Sequence, residues 1–138
     1  HVCELMAEVV ATDALEKIEK YGYISINDPC CGAGATLIAG VHVIRKQLEH
    51  CDPPRNYQNH ILVVAQDVDE IVGLMCYIQI SLLGLAGFIK IGNSITDPMS
   101  TDDSYENYWY TPMYFSDVWS TRRMLRQINK LFGKGDDE

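Results

Sequence analysis

The stretch Asp28-Pro29-Cys30-Cys31-Gly32-Ala33-Gly34-Ala35-Thr36-Leu37 constrains this chain more than any other. It follows a short apolar run, Tyr23-Ile24-Ser25-Ile26, and opens an apolar helical pattern. Strand, glycine turn and helix start therefore come in the order that a nucleotide-type ligand site needs. Gly32 and Gly34 lack a Cβ, so the backbone turns tightly there and a ligand can approach it. A helix beginning near Ala35 aims its free N–H groups at the same place. Asp28 falls at the carboxyl end of the strand, where open α/β sheets bind their ligands.

Two further strand ends carry polar groups in the same relation. Ile61-Leu62-Val63-Val64-Ala65 is a continuous apolar run, the mark of a parallel strand buried on both faces, and it ends in Gln66-Asp67-Val68-Asp69. Asp69 is placed to start the next helix, where a negative charge suits the dipole. Phe88-Ile89-Lys90-Ile91 reads as a third strand, followed by Gly92-Asn93-Ser94-Ile95-Thr96. The dinucleotide fingerprint G-x-G-x-x-G fails, because Leu37 stands where its last glycine belongs.

The loop after the first strand resembles motif I of S-adenosylmethionine-dependent DNA methyltransferases that modify an exocyclic amino group, above all the adenine-specific (N-6) kind of restriction–modification systems and mobile elements. The likeness covers roughly residues 2 to 96. It implies an S-adenosyl-L-methionine site built from Asp28, Pro29, Cys30, Gly32, Gly34, Asp67, Val68 and Asn93. In that family the glycine loop curves around the methionine part of the cofactor. By resemblance Asp67 accepts the ribose hydroxyls and Val68 packs on the adenine ring. Asn93 stands where the family often carries an acidic residue that reaches the adenine amino group, and an amide still offers a donor and an acceptor. The fold implied is a partial Rossmann-like methyltransferase fold, a parallel sheet in the order 3-2-1 flanked by helices.

The family's catalytic tetrapeptide, Asn/Asp-Pro-Pro-Tyr/Phe, is missing from these residues. It would hold the target amine and stack on the flipped base. Asp52-Pro53-Pro54-Arg55 lacks the aromatic and precedes the second strand. Asn107-Tyr108-Trp109-Tyr110 has the right ends but neither proline. Asn107 and Tyr110 are the nearest catalytic candidates, and an aromatic surface or core cluster is the preferred reading of them. The chain is thus expected to bind cofactor without methylating alone. The alternative is a non-catalytic module of the same ancestry that binds partners or assists assembly. A small-molecule methyltransferase and a nicotinamide dehydrogenase fit less well.

The chain has 138 residues and a net charge of −8, and 47% of it is apolar. That is one domain with a real core. Strong contact with DNA wants a basic face, so DNA is expected only in a larger assembly. Arg122, Arg123, Arg126 and Lys130 share one side of the last helix and read as a solvated face. No run is apolar enough to span a membrane, and no secretory signal is present. Five cysteines and four histidines form no metal spacing, and scattered thiols fit a reducing cytoplasm.

Periodicity predicts helices over about residues 2 to 20, 35 to 49, 69 to 84 and 116 to 132, with Ser116 as the last N-cap. Strands are predicted over about 23 to 28, 61 to 66 and 86 to 92. Residues 97 to 114 are expected as an aromatic, acidic loop and 134 to 138 as a frayed tail. Strand one would then expose an unpaired edge. Either the aromatic segment 105 to 115 covers that edge, or a second chain does, as a homodimer or another methyltransferase subunit.

Overall fold

The computed structural model describes residues 13–133. The first part of the expected opening helix, and the tail from 134, lie outside the described residues.

Alternating apolar spacing builds one strand-and-helix series. Helix α1 (Ala14–Tyr21) buries Ala14 and Ile18 and stops at Gly22, whose N–H bonds Ile18 O. Strand β1 (Ile24–Asp28) buries Ile24 and Ile26 and exposes Ser25 and Asn27. Helix α2 (Ala35–Glu49) buries Leu37, Val41, Ile44 and Leu48, one stripe at helical spacing. Strand β2 (Ile61–Asp67) leads into helix α3 (Glu70–Leu82), and strand β3 (Ala86–Ile91) follows. Asp69 caps α3, its Oδ1 accepting from Val72 N at 3.1 Å.

The sheet order is β1-β2-β3-β4, where β4 is Tyr108–Tyr110. Strands β1, β2 and β3 are parallel, with Ile26 beside Val63 and Val63 beside Gly87. The inward residues of these strands meet α2 and α3 in one core with Cys76, Ile80, Ile61 and Ile89. Fully burying an aliphatic side chain is worth about 1.5–3 kcal/mol, so this core dominates the fold's stability.

Strand β4 corrects the expected loop over residues 97 to 114 and makes the sheet mixed. It runs antiparallel to β3, setting Tyr110 against Phe88 and Tyr108 against Lys90. Thr111 fixes its end: the buried hydroxyl donates to Leu85 O at 2.7 Å and accepts from Gly87 N at 2.9 Å. The aromatic segment therefore covers the edge of β3 and not that of β1, which overturns the expectation of cover within the chain. Among the described residues no strand pairs with the outer edge of β1.

Helix α4 (Asp117–Leu131) docks through Trp119, whose ring meets Tyr23 edge-on at 5.5 Å and whose Nε1 donates to Gln58 O at 2.9 Å. Arg122 donates to Gly22 O at 2.9 Å and to Asn59 O, and Arg123 lies over the Tyr114 ring. These two guanidinium groups hold the helix to the body, so they are not the solvated face expected. Ser116 occupies the N-cap position, but its side chain makes no capping bond.

Candidate functional site

The carboxyl ends of β1, β2 and β3 meet through hydrogen bonds between their loops. Asp28 Oδ1 accepts from Cys30 N at 3.0 Å, which closes the turn through Pro29. Cys31 N then reaches across to Gln66 O at 2.9 Å. Asp67 spans the gap: Oδ2 accepts from Gly32 N at 2.8 Å, and Oδ1 accepts from Asp69 N at 2.9 Å. On the third loop, Gly92 N bonds Asp67 O at 2.8 Å. Asn93 Oδ1 accepts from Ile95 N at 2.9 Å and from Thr96 N at 3.3 Å. Ser94 Oγ stands 4.0 Å from Cys30 Sγ.

Gly32 and Gly34 both take left-handed backbone angles, φ 52° and 93°. Their surroundings differ. A Cβ on Gly34 would sit 2.8 Å from Cys76 Sγ on α3, so this glycine lets the loop close on the core. A Cβ on Gly32 would only touch Val72, at 4.0 Å. The Cys31 thiol is pushed well above its usual range by its bond to Cys76 and by burial, which keeps it protonated and inert. Val68 is 70% exposed at the rim of this region. Asp28, Cys30, Gly32, Asp67 and Asn93 thus lie on loops that touch one another, with Pro29 and Val68 beside them.

Three residues outside the predicted set hold the third loop in place. Buried Gln66 donates to Gly92 O at 3.2 Å and to Asp97 O at 2.8 Å. Lys90, buried in β3, donates to Asp97 Oδ1 at 2.8 Å, Pro98 O at 3.1 Å and Asp103 Oδ2 at 3.0 Å. Asp103 also accepts from Tyr108 Oη and Ser100 N. The Tyr108 hydroxyl, Lys90 and that amide together hold its carboxyl down at about 2. One sequence signal could have found Lys90: a lone cation inside an apolar strand is buried only when paired.

Asn107 and Tyr110 lie elsewhere. Tyr110 packs on Tyr114 with ring centroids 4.7 Å apart and on Phe88 at 5.7 Å. With Tyr105 and Tyr108 these rings line a cleft of about 240 Å³. Burial pushes the Tyr110 hydroxyl up to about 12. Asn107 ends the short helical turn before β4. No contact among the described residues joins either side chain to the glycine loop.

The family model described as N-6 DNA Methylase matches residues 1–132. The chain belongs to the N-6 DNA methylase family. No curated protein and no solved structure matches it. Within this N-6 DNA methylase chain, Asn107-Tyr108-Trp109-Tyr110 stands in an edge strand and short turn, with neither proline. No helix among the described residues is long and apolar enough to cross a membrane.

Proposed function

We propose that this chain is the S-adenosylmethionine-binding half of an N-6 DNA methylase, and that it does not methylate DNA by itself. The observation that carries this reading is the bond from Gly32 N to the Asp67 carboxylate, which holds the glycine loop against the second acidic strand end. On this reading the sheet and its helices are the cofactor-binding part of a Rossmann-like fold.

The residues present fit the cofactor. Each Asp67 oxygen accepts one backbone N–H, and a carboxylate oxygen has a second lone pair for a ribose hydroxyl. Val68 offers an exposed apolar surface for the adenine ring. Because Asn93 Oδ1 is taken by two backbone amides, its NH2 group is left to donate to the adenine edge. The Gly32–Gly34 backbone would follow the methionine part. When bound, S-adenosylmethionine supplies an electrophilic sulfonium methyl. The chain's own residues bind and orient, and alignment of that kind carries much of such a transfer.

Catalysis then needs the base-holding tetrapeptide that these 138 residues do not contain, supplied within a larger methyltransferase assembly. DNA would be met only in that larger assembly, in a restriction–modification setting and in the cytoplasm. The second reading, a non-catalytic partner-binding module, is favoured by the same missing tetrapeptide. Parallel calorimetric titrations with S-adenosylmethionine, its demethylated product and NAD decide between them. Binding of the first two and not of NAD is expected. A folded chain that binds neither at millimolar concentration leaves only the partner-binding module.

A further inference from the structure

Side chains alternate across a strand, and the register of β3 and β4 sets Phe88 against Tyr110 and Lys90 against Tyr108 on one face of the sheet. Two short helical turns add a ring each, Tyr105 before β4 and Tyr114 after it. These five rings and Asp103 line the cleft of about 240 Å³. Tyr110 is central to them, with ring centroids 5.6 Å from Tyr105, 5.9 Å from Tyr108 and 4.7 Å from Tyr114. None of these groups belongs to the glycine-loop site.

The bonds of Asp103 are lopsided. Lys90 Nζ at 3.0 Å, Ser100 N at 3.1 Å and the Tyr108 hydroxyl all donate to Oδ2, whereas Oδ1 takes no bond among the described residues. The carboxyl is thus fixed in place with one oxygen left to accept. Its surroundings are acidic: residues 97 to 106 carry Asp97, Asp102, Asp103 and Glu106 and no lysine or arginine. Against these stand buried Lys90 and Arg123. Arg123 lies 4.1 Å over the Tyr114 ring, so the cluster already takes one guanidinium by stacking.

We propose that the cleft binds a guanidinium group, its plane on Tyr105 and Tyr110 and one N–H donating to Asp103 Oδ1. Aromatic faces attract a cation placed over them. A planar guanidinium stacks on such faces, and its fork of donors suits a carboxylate. A nucleotide or other anion would meet the four carboxylates of residues 97 to 106. An aliphatic ligand would strip water from Oδ1 and give it no donor. The guanidinium can come from a free small molecule or from an arginine side chain of a partner polypeptide, and the cleft offers the same chemistry to both.

Titration of the full chain with butylguanidine at low salt, followed by amide and tyrosine-ring NMR shifts, tests this. Saturable shifts at Asp103, Tyr105 and Tyr110 are expected. Butylurea has the N–H donors without the charge and should bind about tenfold more weakly, since hydrogen bonds between charged groups are the stronger ones. Butyltrimethylammonium has the charge without the donors and should also bind more weakly. Tyr105→Ala removes a ring that is 68% exposed, so the core stays intact. It should weaken butylguanidine about threefold or more. Trp109→Ala, on the opposite face of β4 against Tyr77, should leave the affinity unchanged. A blocked Gly-Arg-Gly peptide that binds more tightly than butylguanidine assigns the site to a polypeptide partner, and the reverse order assigns it to a free guanidinium compound; either order upholds the site. No saturable shift at tenth-molar butylguanidine overturns the proposal. So does equal binding of butylurea or of butyltrimethylammonium, and so does affinity lost in Trp109→Ala but kept in Tyr105→Ala.

Discussion

Gly32 and Asp67 are 35 residues apart, yet the amide of one donates to the carboxylate of the other at 2.8 Å. The bond joins the loop after β1 to the end of β2, so the second strand end fixes the shape of the glycine turn.

Asp67→Ala is expected to free the Gly32 amide and abolish binding of S-adenosylmethionine. Asp67→Asn should weaken binding about tenfold or more, since one hydrogen bond to a charged group is worth about 1.5–3 kcal/mol. Calorimetry measures both, and amide exchange at Gly32 should speed up in each. Full-affinity binding by Asp67→Ala would remove Asp67 from the site.

Gly34→Ala tests packing rather than ligand space. The new methyl would meet Cys76 Sγ and stand on a left-handed backbone. Destabilisation of about 1–3 kcal/mol is expected from the backbone conformation, with the clash added. Gly32→Ala should cost less, because only Val72 lies near. Thermal melts of Gly34→Ala with and without Cys76→Ala separate the two terms: the second change should recover the clash and leave the backbone cost.

Lys90→Met leaves the Asp103 carboxylate without its cation. Breaking a buried ion pair from one side costs about 3–5 kcal/mol. A shift of that order in the urea midpoint is expected. A variant as stable as the parent would show that Lys90 does not hold the loop.

Acid should dissolve the same cluster. Asp103 is lowered from 3.8 to about 2, first by the Tyr108 hydroxyl and then by Lys90. Its contribution is complete above the ordinary value and is lost as pH falls through the folded one. Tyr108 is pushed from 10.0 to about 12, by burial and then by Asp103, so its share persists below 10.0 and fades as pH rises through about 12. The stability gap between the parent and Tyr108→Phe should shrink in both limits. Urea melts across the pH range would reject this if the gap stayed constant.

The isolated chain is expected to transfer no methyl group to mixed-sequence DNA from labelled cofactor. Robust labelling of adenine, lost in Asn107→Ala or Tyr110→Ala, would return these residues to a catalytic role.

Much of the strand and helix series was legible because its signals are local. The β2 run is apolar without a break, and α2 begins just after Gly34 and ends before the proline loop, so its bounds, Ala35–Glu49, follow from neighbours in sequence. Strand β4 was not legible. Three residues carry no period, and what places them is Thr111 reaching Leu85 and Phe88 packing on Tyr108 and Tyr110. The strand-end order of Asp28, Gly32, Asp67 and Asn93 could be read directly. The clamp on Lys90 could not, since its carboxylates arrive from residues 97 and 103, and an apolar strand pattern hides a single charge.

The sheet's two borders have unlike fates. On one side β4 turns back upon β3 and is locked at Thr111, so that border offers only three aromatic residues of strand. On the other, β1 presents its backbone to whatever comes next. Among the described residues the longer unpaired border is therefore that of Ile24–Asp28, and a strand added there would arrive with its end next to the glycine loop.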